Sequence, residues 1–560
     1  MTPGKGARYL CALGFVLPSF FANTLFAQVL PPPPANPPGK LDSVARLFVK
    51  SFRFEGNMAF SNEELAKVAE SYTNREITSG ELEEARRAVT LHYVSNGYLN
   101  SGAVLPDQTP TNGIVTMRIV EGVISRIELR GNHWLRDSFI TSRIERWDGP
   151  PLNVNTLTEG LQLLRQNPNI RQINAELKPG AAPGEGVLDA RVVDQQPFRV
   201  GLEVNNHRPP SVGAEELSLL LADLNLTGNS DALHFRYGIA TSDGDSVDFS
   251  GIDNMEASYT LPLNRYDTTI GFHGSRLDTS ILEEPFRDLE IDSETVSYGV
   301  FLRQPFFQTA NHEAAFTVGF ERRQNDTELL GEPFDISPGA VNGRTIVSVL
   351  RVSQEWLSRS QNQVLALRST FNIGLDVLDA TDRGTGPDGQ FFSWLGQAQY
   401  VRRLFNTQNQ LILRLTGQWA DESAERIVTT NGVTTLPGLL ALEQISVGGV
   451  DTVRGYRENT MVRDRGLASS VEFRVPVLFD KTGLGIVHVA PFFDFGSASN
   501  TRNSPGLTTI YSTGLGLLIA PNKHFNAQLY WGYRLHHVDT PDDEDPQDLG
   551  LHFRVNFEVF

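Results

Sequence analysis

The chain has 560 residues, 20% of them charged, a formal charge of −18 and a single cysteine, Cys11. That length predicts more than one domain, and the acidic balance argues against nucleic acid as a partner. Beyond Cys11 neither a disulfide nor a thiolate metal site is available.

Lys5 and Arg8 precede the apolar stretch "YLCALGFVLPSFF", and "LFAQ" follows it. This pattern predicts a signal peptide over residues 1–27, cleaved after Ala27, with Cys11 inside it. No other apolar run is long enough for a membrane helix, so the exported chain is either soluble or a β-barrel. A proline-rich linker over 28–47 comes next. The six prolines of "PPPPANPPGK" suit either an extended polyproline II spacer or a disordered segment. "LDSVARL" after it has room for about two helical turns.

A repeat then appears. "FRFEGNMAFSNEEL" at 52–65 aligns with "IELRGNHWLRDSFI" at 127–140. Phe52 and Phe54 match Ile127 and Leu129, Gly56-Asn57 matches Gly131-Asn132, and Phe60 and Leu65 match Leu135 and Ile140. Each copy reads as a short strand, a Gly-Asn turn and a helix. Ser61 with Glu64 predicts a capping box in the first copy. Further helices are expected near 79–95 and 155–166, each followed by two strands. The order β-α-α-β-β thus occurs twice, over 48–122 and 123–196.

From Pro197 onward no helical period stands out. Sixteen strand-like segments follow, the last being "LHFRVNFEVF". In it Leu551, Phe553, Val555, Phe557 and Val559 alternate with His552, Arg554, Asn556 and Glu558, and the sequence ends on Phe560. Alternation alone fits a soluble sandwich as well as a barrel. The connections favour the barrel. Short turns ("PLNR", "FQTAN", "SRSQ", "FNTQN", "FDKTG", "PNKH") alternate with longer loops rich in Gly, Asp, Asn and Ser, as in outer-membrane barrels with periplasmic turns and surface loops. Aromatic residues near strand ends ("YTLPL", "QPFF", "QLYWGY") suit an interfacial girdle, although core packing explains any single ring. The expected fold is therefore a transmembrane β-barrel of 16 antiparallel strands over 197–560, preceded by two small α+β modules. A closed sheet also removes the exposed edge that a C-terminal strand otherwise leaves.

A signal peptide, two β-α-α-β-β modules and a sixteen-strand barrel together resemble the two-partner secretion transporters (TpsB) of Gram-negative bacteria. These export haemolysins and filamentous-haemagglutinin-type adhesins and belong with the BamA-type barrels. The resemblance implies that the modules are periplasmic POTRA domains. It also implies an outer-membrane location, an unfolded exoprotein as cargo, contact with lipid and lipopolysaccharide, and use of the barrel-assembly machinery, with Phe560 as its C-terminal signal. Two family motifs carry it. The VRGY/F motif at the tip of the sixth surface loop maps onto Val453, Arg454, Gly455 and Tyr456, within a long loop at about 422–466. F-x-D-x-G on the thirteenth strand maps onto Phe492, Asp494 and Gly496. Some relatives carry a long plug helix before the first POTRA domain. Here about twenty residues, many of them proline, separate the signal from Phe48, which leaves the closing of the resting pore open.

Alternation supports the transfer. On "GIVHVAPFFDFG", Val487, Val489, Phe493 and Phe495 share one face, and His488, Phe492, Asp494 and Gly496 the other. On "SSVEFRVP", Glu472 and Arg474 point inward. An arginine tucked into the lumen requires a carboxylate, and Asp494 and Glu472 are available. The plain alternatives are a solvated loop arginine and an ordinary polar wall residue.

An enzyme is the first rival: no GxSxG elbow, Walker loop or HExxH occurs, and the transport reading requires no cofactor or nucleotide. The run "DDEDPQD" lacks the glycine and spacing of a calcium loop and reads as a solvated acidic loop. A BamA-type assembly factor is the main alternative, usually with three or more POTRA domains. A passive porin requires no such repeat.

Overall fold

The computed structural model describes residues 46–240, 253–283, 289–382, 387–405, 407–421, 428–430, 433–435, 438–501, 506–540 and 545–559. The expected signal peptide, the linker up to residue 45 and Phe560 lie outside them. Two compact units divide between Gln195 and Gln196.

In the N-terminal unit the two modules share one topology. The first contains β1 (Arg46–Val49), β2 (Ser51–Glu55), α1 (Asn62–Val68), β3 (Arg75–Thr78), α2 (Ser79–Ser95), β4 (Gly102–Val104) and β5 (Ile114–Val120). The second contains β6 (Val123–Arg130), α3 (Asp137–Glu145), α4 (Val154–Leu164), β7 (Ile170–Pro179) and β8 (Glu185–Asp194). Each forms a three-stranded sheet, ordered β2-β5-β4 and β6-β8-β7. In each, the first strand is parallel to the central one and the third antiparallel. The first module adds a two-stranded pairing, β1 with β3, that the repeat did not predict. It also corrects the helical reading of "LDSVARL": Arg46 and Leu47 are already in β1.

The Gly-Asn turn is built the same way twice. Gly56 and Gly131 have φ of 87° and 91°. A Cβ on either would stand 2.7 Å from a carbonyl oxygen of the central strand, of Ile119 or Val192, so only glycine fits. The side-chain amides of Asn57 and Asn132 donate to the carbonyls of Phe60 and Leu135, both at 2.8 Å. A carboxylate at the end of the central strand then collects the next backbone N–H groups. Glu121 accepts from Met58 (2.7 Å), Ala59 (2.8 Å) and the Tyr93 hydroxyl (2.9 Å). Asp194 accepts from His133 (2.8 Å), Trp134 (2.6 Å) and Leu135 (2.9 Å). Ser61 caps α1 by accepting from the Glu64 N–H at 3.2 Å. The reciprocal capping box lies at α2 instead, between Thr78 and Glu81. Phe54, Leu65, Val89, Tyr93 and Met117 fill the first core, and Leu135, Phe139, Ile140, Ile144 and Leu188 the second.

The C-terminal unit is a closed barrel. Its sixteen strands are β9 (Phe198–Asn205), β10 (Glu216–Asp223), β11 (Ala232–Ala240), β12 (Asp253–Pro262), β13 (Thr269–Ser280), β14 (Ile291–Gln308), β15 (His312–Leu329), β16 (Arg344–Arg359), β17 (Gln363–Leu375), β18 (Phe392–Arg403), β19 (Gln410–Ala420), β20 (Arg465–Phe479), β21 (Gly485–Ser499), β22 (Thr509–Asn522), β23 (Phe525–Arg534) and β24 (Leu551–Glu558). All neighbours are antiparallel, and β24 closes on β9 through Arg554↔Asn205 to Glu558↔Gly201. The turns at 263–268, 309–311, 360–362, 404–409, 480–484 and 523–524 are short. Every second side chain points outward, leaving Phe272, Leu302, Phe316, Trp356, Leu415, Phe493, Leu515 and Phe557 exposed around the circumference. An apolar belt on the outside of a closed sheet is a lipid-facing surface. Phe306 stacks on Phe316 at 5.0 Å and Phe307 on Trp356 at 6.2 Å near the short turns. No described helix is long and apolar enough to span a membrane; the strands do the crossing. β14 and β15 run to 18 residues each, the longest strands of the barrel. Their ends away from the short turn carry Glu294, Arg322 and Asp326 on the outward face, beyond the apolar belt.

Candidate functional site

The loop between β19 and β20 turns into the barrel. Ile445–Val447 pairs with Met461–Arg463, and this hairpin carries the tip, residues 448–460, into the lumen. The tip has an apolar heart. Val453 and Tyr456 are buried with Ile445, Val447 and Met461 from the hairpin, and with Ala498 of β21 and Ile510 of β22 from the wall. The Tyr456 hydroxyl donates to the carbonyl of His536 at 2.7 Å and accepts from the His536 N–H at 3.2 Å.

Arg454 is 2% exposed, and Asp494 and Glu472 are 0% exposed. Its Nε donates to Asp494 Oδ2 and its Nη2 to Asp494 Oδ1, both at 2.8 Å, a bidentate fork. Its own backbone N–H donates to Asp494 Oδ2 at 3.0 Å. Nη1 donates to Glu472, and Nη2 also donates to Ser470 Oγ at 2.9 Å. The guanidinium carbon lies 3.7 Å from the ring centroid of Phe492 and 4.7 Å from that of Tyr530, a sandwich suited to a delocalised cation. Glu472 also accepts from Arg474. One arginine and two carboxylates therefore meet in a water-poor cluster. Arg474 balances the second negative charge.

Gly455 has φ of 93°, and a Cβ there would stand 2.6 Å from the Gly532 carbonyl oxygen. Gly532 faces it as tightly, since its own Cβ would stand 2.7 Å from Gly455 Cα. Two backbones touch here, as no larger residue permits. The Gly455 N–H donates to His552 Nε2 at 3.2 Å, and Arg534 Nε donates to the Gly455 carbonyl at 2.8 Å. At Gly496 a Cβ would stand 2.4 Å from Val447 and 2.7 Å from Val453, so this glycine seats the loop against β21.

Every motif residue singled out in the sequence, Val453, Arg454, Gly455, Tyr456, Glu472, Phe492, Asp494 and Gly496, therefore lies in one cluster. Phe560 lies outside the described residues. Sequence reasoning missed Ser470, Tyr530, Gly532, Arg534 and His552, and also Ser512 of β22, whose hydroxyl donates to the Arg454 carbonyl. Strand alternation contains the signal for them: each shares the inward face of its strand. It also misjudged the acidic run. Residues 541–544 lie outside the described residues, but Asp548 is buried and takes a bidentate pair from Arg457, both at 2.5 Å. Gln547, fully buried, accepts from the Glu458 N–H at 2.9 Å and donates to the carbonyls of Asn206 and Arg208, both at 2.7 Å. This end of the run holds the sixth loop rather than facing solvent. Among the described residues no three or more His, Cys, Asp or Glu side chains are grouped to hold a metal.

Fold and cluster define a class: an outer-membrane barrel with N-terminal POTRA modules and a surface loop anchored in its lumen. Residues 184–519 match the family of haemolysin secretion/activation proteins ShlB/FhaC/HecB, and residues 47–122 match the ShlB-type POTRA domain. The chain belongs to the ShlB/FhaC/HecB family. It is 21% identical to the outer membrane transporter CdiB of Dickeya dadantii, over 81% of this chain and 78% of that one. It is 22% identical to the heme/hemopexin transporter protein HuxB of Haemophilus influenzae, over 83% and 79%. Among solved structures, CdiB from Escherichia coli superposes with a TM-score of 0.69 at 19% identity, covering 94% of this chain and 93% of that one. BamA from Haemophilus ducreyi, lacking POTRA domains 1–3, gives 0.51 at 12% identity, covering 91% and 100%. The expected fold, a 16-strand antiparallel barrel after POTRA domains, is the fold found. The protein is an outer-membrane translocation pore of the two-partner secretion type, in a family of transporters rather than enzymes.

Proposed function

We propose that the chain exports one large unfolded exoprotein of haemolysin or adhesin type, captured in the periplasm by modules spanning 48–122 and 123–196. No cofactor, nucleotide or catalytic step is assigned to it. The observation that carries the reading is a loop tip held inside the barrel by Arg454, Asp494 and Glu472. Such an anchor is strong when formed and releasable as a unit, because both carboxylates and the cation regain water together. β4 and β7 lie at sheet edges, which supports capture of an extended segment by strand addition. The cargo then displaces the sixth loop and threads the lumen, and folding outside makes the transfer directional. Phe560 serves as the assembly signal read by the barrel-assembly machinery, and lipid and lipopolysaccharide surround the apolar belt.

The test is co-expression with the neighbouring large open reading frame and scoring of the secreted product. Deletion of residues 48–122 leaves a barrel in the membrane and abolishes export. Normal export by that truncation removes the capture role. Restored insertion of other outer-membrane proteins, without export, favours the assembly-factor alternative.

A further inference from the structure

The lumen wall carries an apolar patch that a water-filled pore does not require. Val347 and Val349 share the inward face of β16 with Arg351, and both are fully buried. What covers them is the other leg of the sixth loop. Leu440, also fully buried, packs on the two valines beside Phe391 and Leu442. Next to this patch Glu443 is 7% exposed. Arg351 grips it with a fork, Nη2 to Oε1 at 2.9 Å and Nη1 to Oε2 at 3.1 Å. Arg323 Nη1 donates to the Leu442 carbonyl at 2.6 Å and, more weakly, to Glu443 Oε1 at 3.4 Å. From the wall side Arg351 also donates to Glu321 at 2.9 Å and Asn372 at 2.8 Å. Gln418 Nε2 donates to the Glu443 carbonyl at 2.9 Å. Val318 and Val352, paired on the outer face beside Arg351, set this contact at the depth of the apolar belt. The leg thus lies against β15–β19 and the tip against β20–β24, two adjoining arcs of the wall.

We propose that Arg351 and Glu443 form a second latch on the sixth loop, which positions the 438–444 leg over the β16 wall and narrows the resting pore independently of the Arg454–Asp494 anchor. A buried glutamate and a buried leucine on the leg meet a matching arginine and matching valines on the wall. This complementarity makes the contact a seat rather than an incidental touch. The latch supplies a closing element within the described residues, without any plug helix. It rests on the pore reading, and the two are separable by experiment. Glu443→Gln is a fair test because Arg351 keeps Glu321 at 2.9 Å and Arg323 keeps it at 3.9 Å, so neither cation is stranded.

The reporter is Val349→Cys in the full-length protein, the mature part of which has no cysteine of its own. Labelling by a hydrophilic maleimide reads the wall beneath the leg. Glu443→Gln and Arg351→Gln each accelerate labelling by about tenfold, the scale of losing one charge-assisted pair, and each raises conductance in planar bilayers. The double variant exceeds neither single by much, since both remove one latch. Leu440→Ala, which leaves every charge paired, also speeds labelling, so the outcome does not depend on one variant inserting well. Arg454→Ala leaves labelling at position 349 near its starting rate. Unchanged labelling in all three variants, or strictly additive effects of the two glutamines, overturns the latch. A wild-type protein that passes no current and exports nothing strikes the pore reading instead, because labelling requires neither.

Discussion

Both units hold a glycine-bearing turn with a carboxylate sent from another strand, and the two solutions differ in charge. In the modules, the hydrogen bonds to Glu121 and Asp194 come from neutral donors, backbone N–H groups and, for Glu121, the Tyr93 hydroxyl, with the exposed His133 imidazole 3.8 Å from Asp194. In the barrel, Asp494 receives the backbone N–H of Arg454 and also its guanidinium. The module turns are permanent fittings. Burial alone does not separate them from the anchor, since the Asp194 side chain is only 2% exposed; what differs is that fixed backbone donors, which have no other partner to go to, meet the carboxylate. The lumen anchor is all or nothing. Together its charges are matched; singly each is a buried ion, and stranding one costs about 3–5 kcal/mol. The neutral pin is tuned for constancy, and the ionic one for a two-state loop.

The largest effect expected is therefore at the ionic anchor. Arg454→Ala and Asp494→Ala each reduce export strongly at normal levels of inserted protein. In a double-mutant cycle on the logarithm of secretion the pair is far from additive; additive effects would separate the two residues. A sharper contrast uses one chemical change in both places. Asp494→Asn leaves an acceptor but only Glu472 to meet the cation, and export falls severalfold or more. Asp194→Asn keeps an acceptor for three neutral donors. It weakens the second module by about 1–2 kcal/mol, the difference between charged and neutral acceptors, read as faster hydrogen exchange at Trp134 and Leu135. Equal damage from the two asparagines would break the comparison. Gly455→Ala should match the anchor variants despite touching no charge, because Gly532 leaves no room for a methyl group.

The smallest effect is on pH. Burial, only partly offset by the Val450 N–H, pushes the Glu458 carboxyl from its ordinary 4.5 up to about 7. The folded loop then binds more protons than the released loop between those values. Its stability is fully present below about 4.5, falls as pH rises, and levels off above about 7. Mobility at residues 448–460 should be greater at pH 8 than at pH 5, and Glu458→Gln should flatten that dependence.

Much of this was legible in the sequence because strands and turns carry short-range signals. The alternation of "PFFDFG" fixed which side of β21 faces inward, and the Gly-Asn repeat located both module turns. The capping residues of α2 and the extra pairing of β1 with β3 were not read, although Thr78 and Glu81 stand at capping-box spacing. What stayed hidden was long-range and spread across loops. Nothing local in "DDEDPQD" distinguishes a solvated acidic loop from one whose Asp548 meets Arg457, 91 residues away. Nothing in "LLALEQ" says that Glu443 will find Arg351.

The barrel's closing seam has a consequence for how the chain folds. Among the described residues β24 and β9 pair over five positions, the fewest of any neighbouring strands in the barrel, with one more backbone bond at each end, Val559 N–H to the Val200 carbonyl at 2.7 Å and Asn206 N–H to the Phe553 carbonyl at 3.3 Å. A side chain lengthens the seam further: Asn206 Oδ1 accepts from the Phe553 N–H at 2.7 Å, and its Nδ2 donates to the Leu551 carbonyl at 3.0 Å. These partners are 347 and 345 residues apart in sequence. Joining ends so distant costs about 4 kcal/mol more chain entropy than closing a four-residue turn. The seam thus combines the highest contact order in the molecule with the smallest return in backbone pairs. Topology alone makes it the slowest step, so the hairpins zip from within and the first and last strands wait, unpaired and in need of shelter, until everything between them is in place.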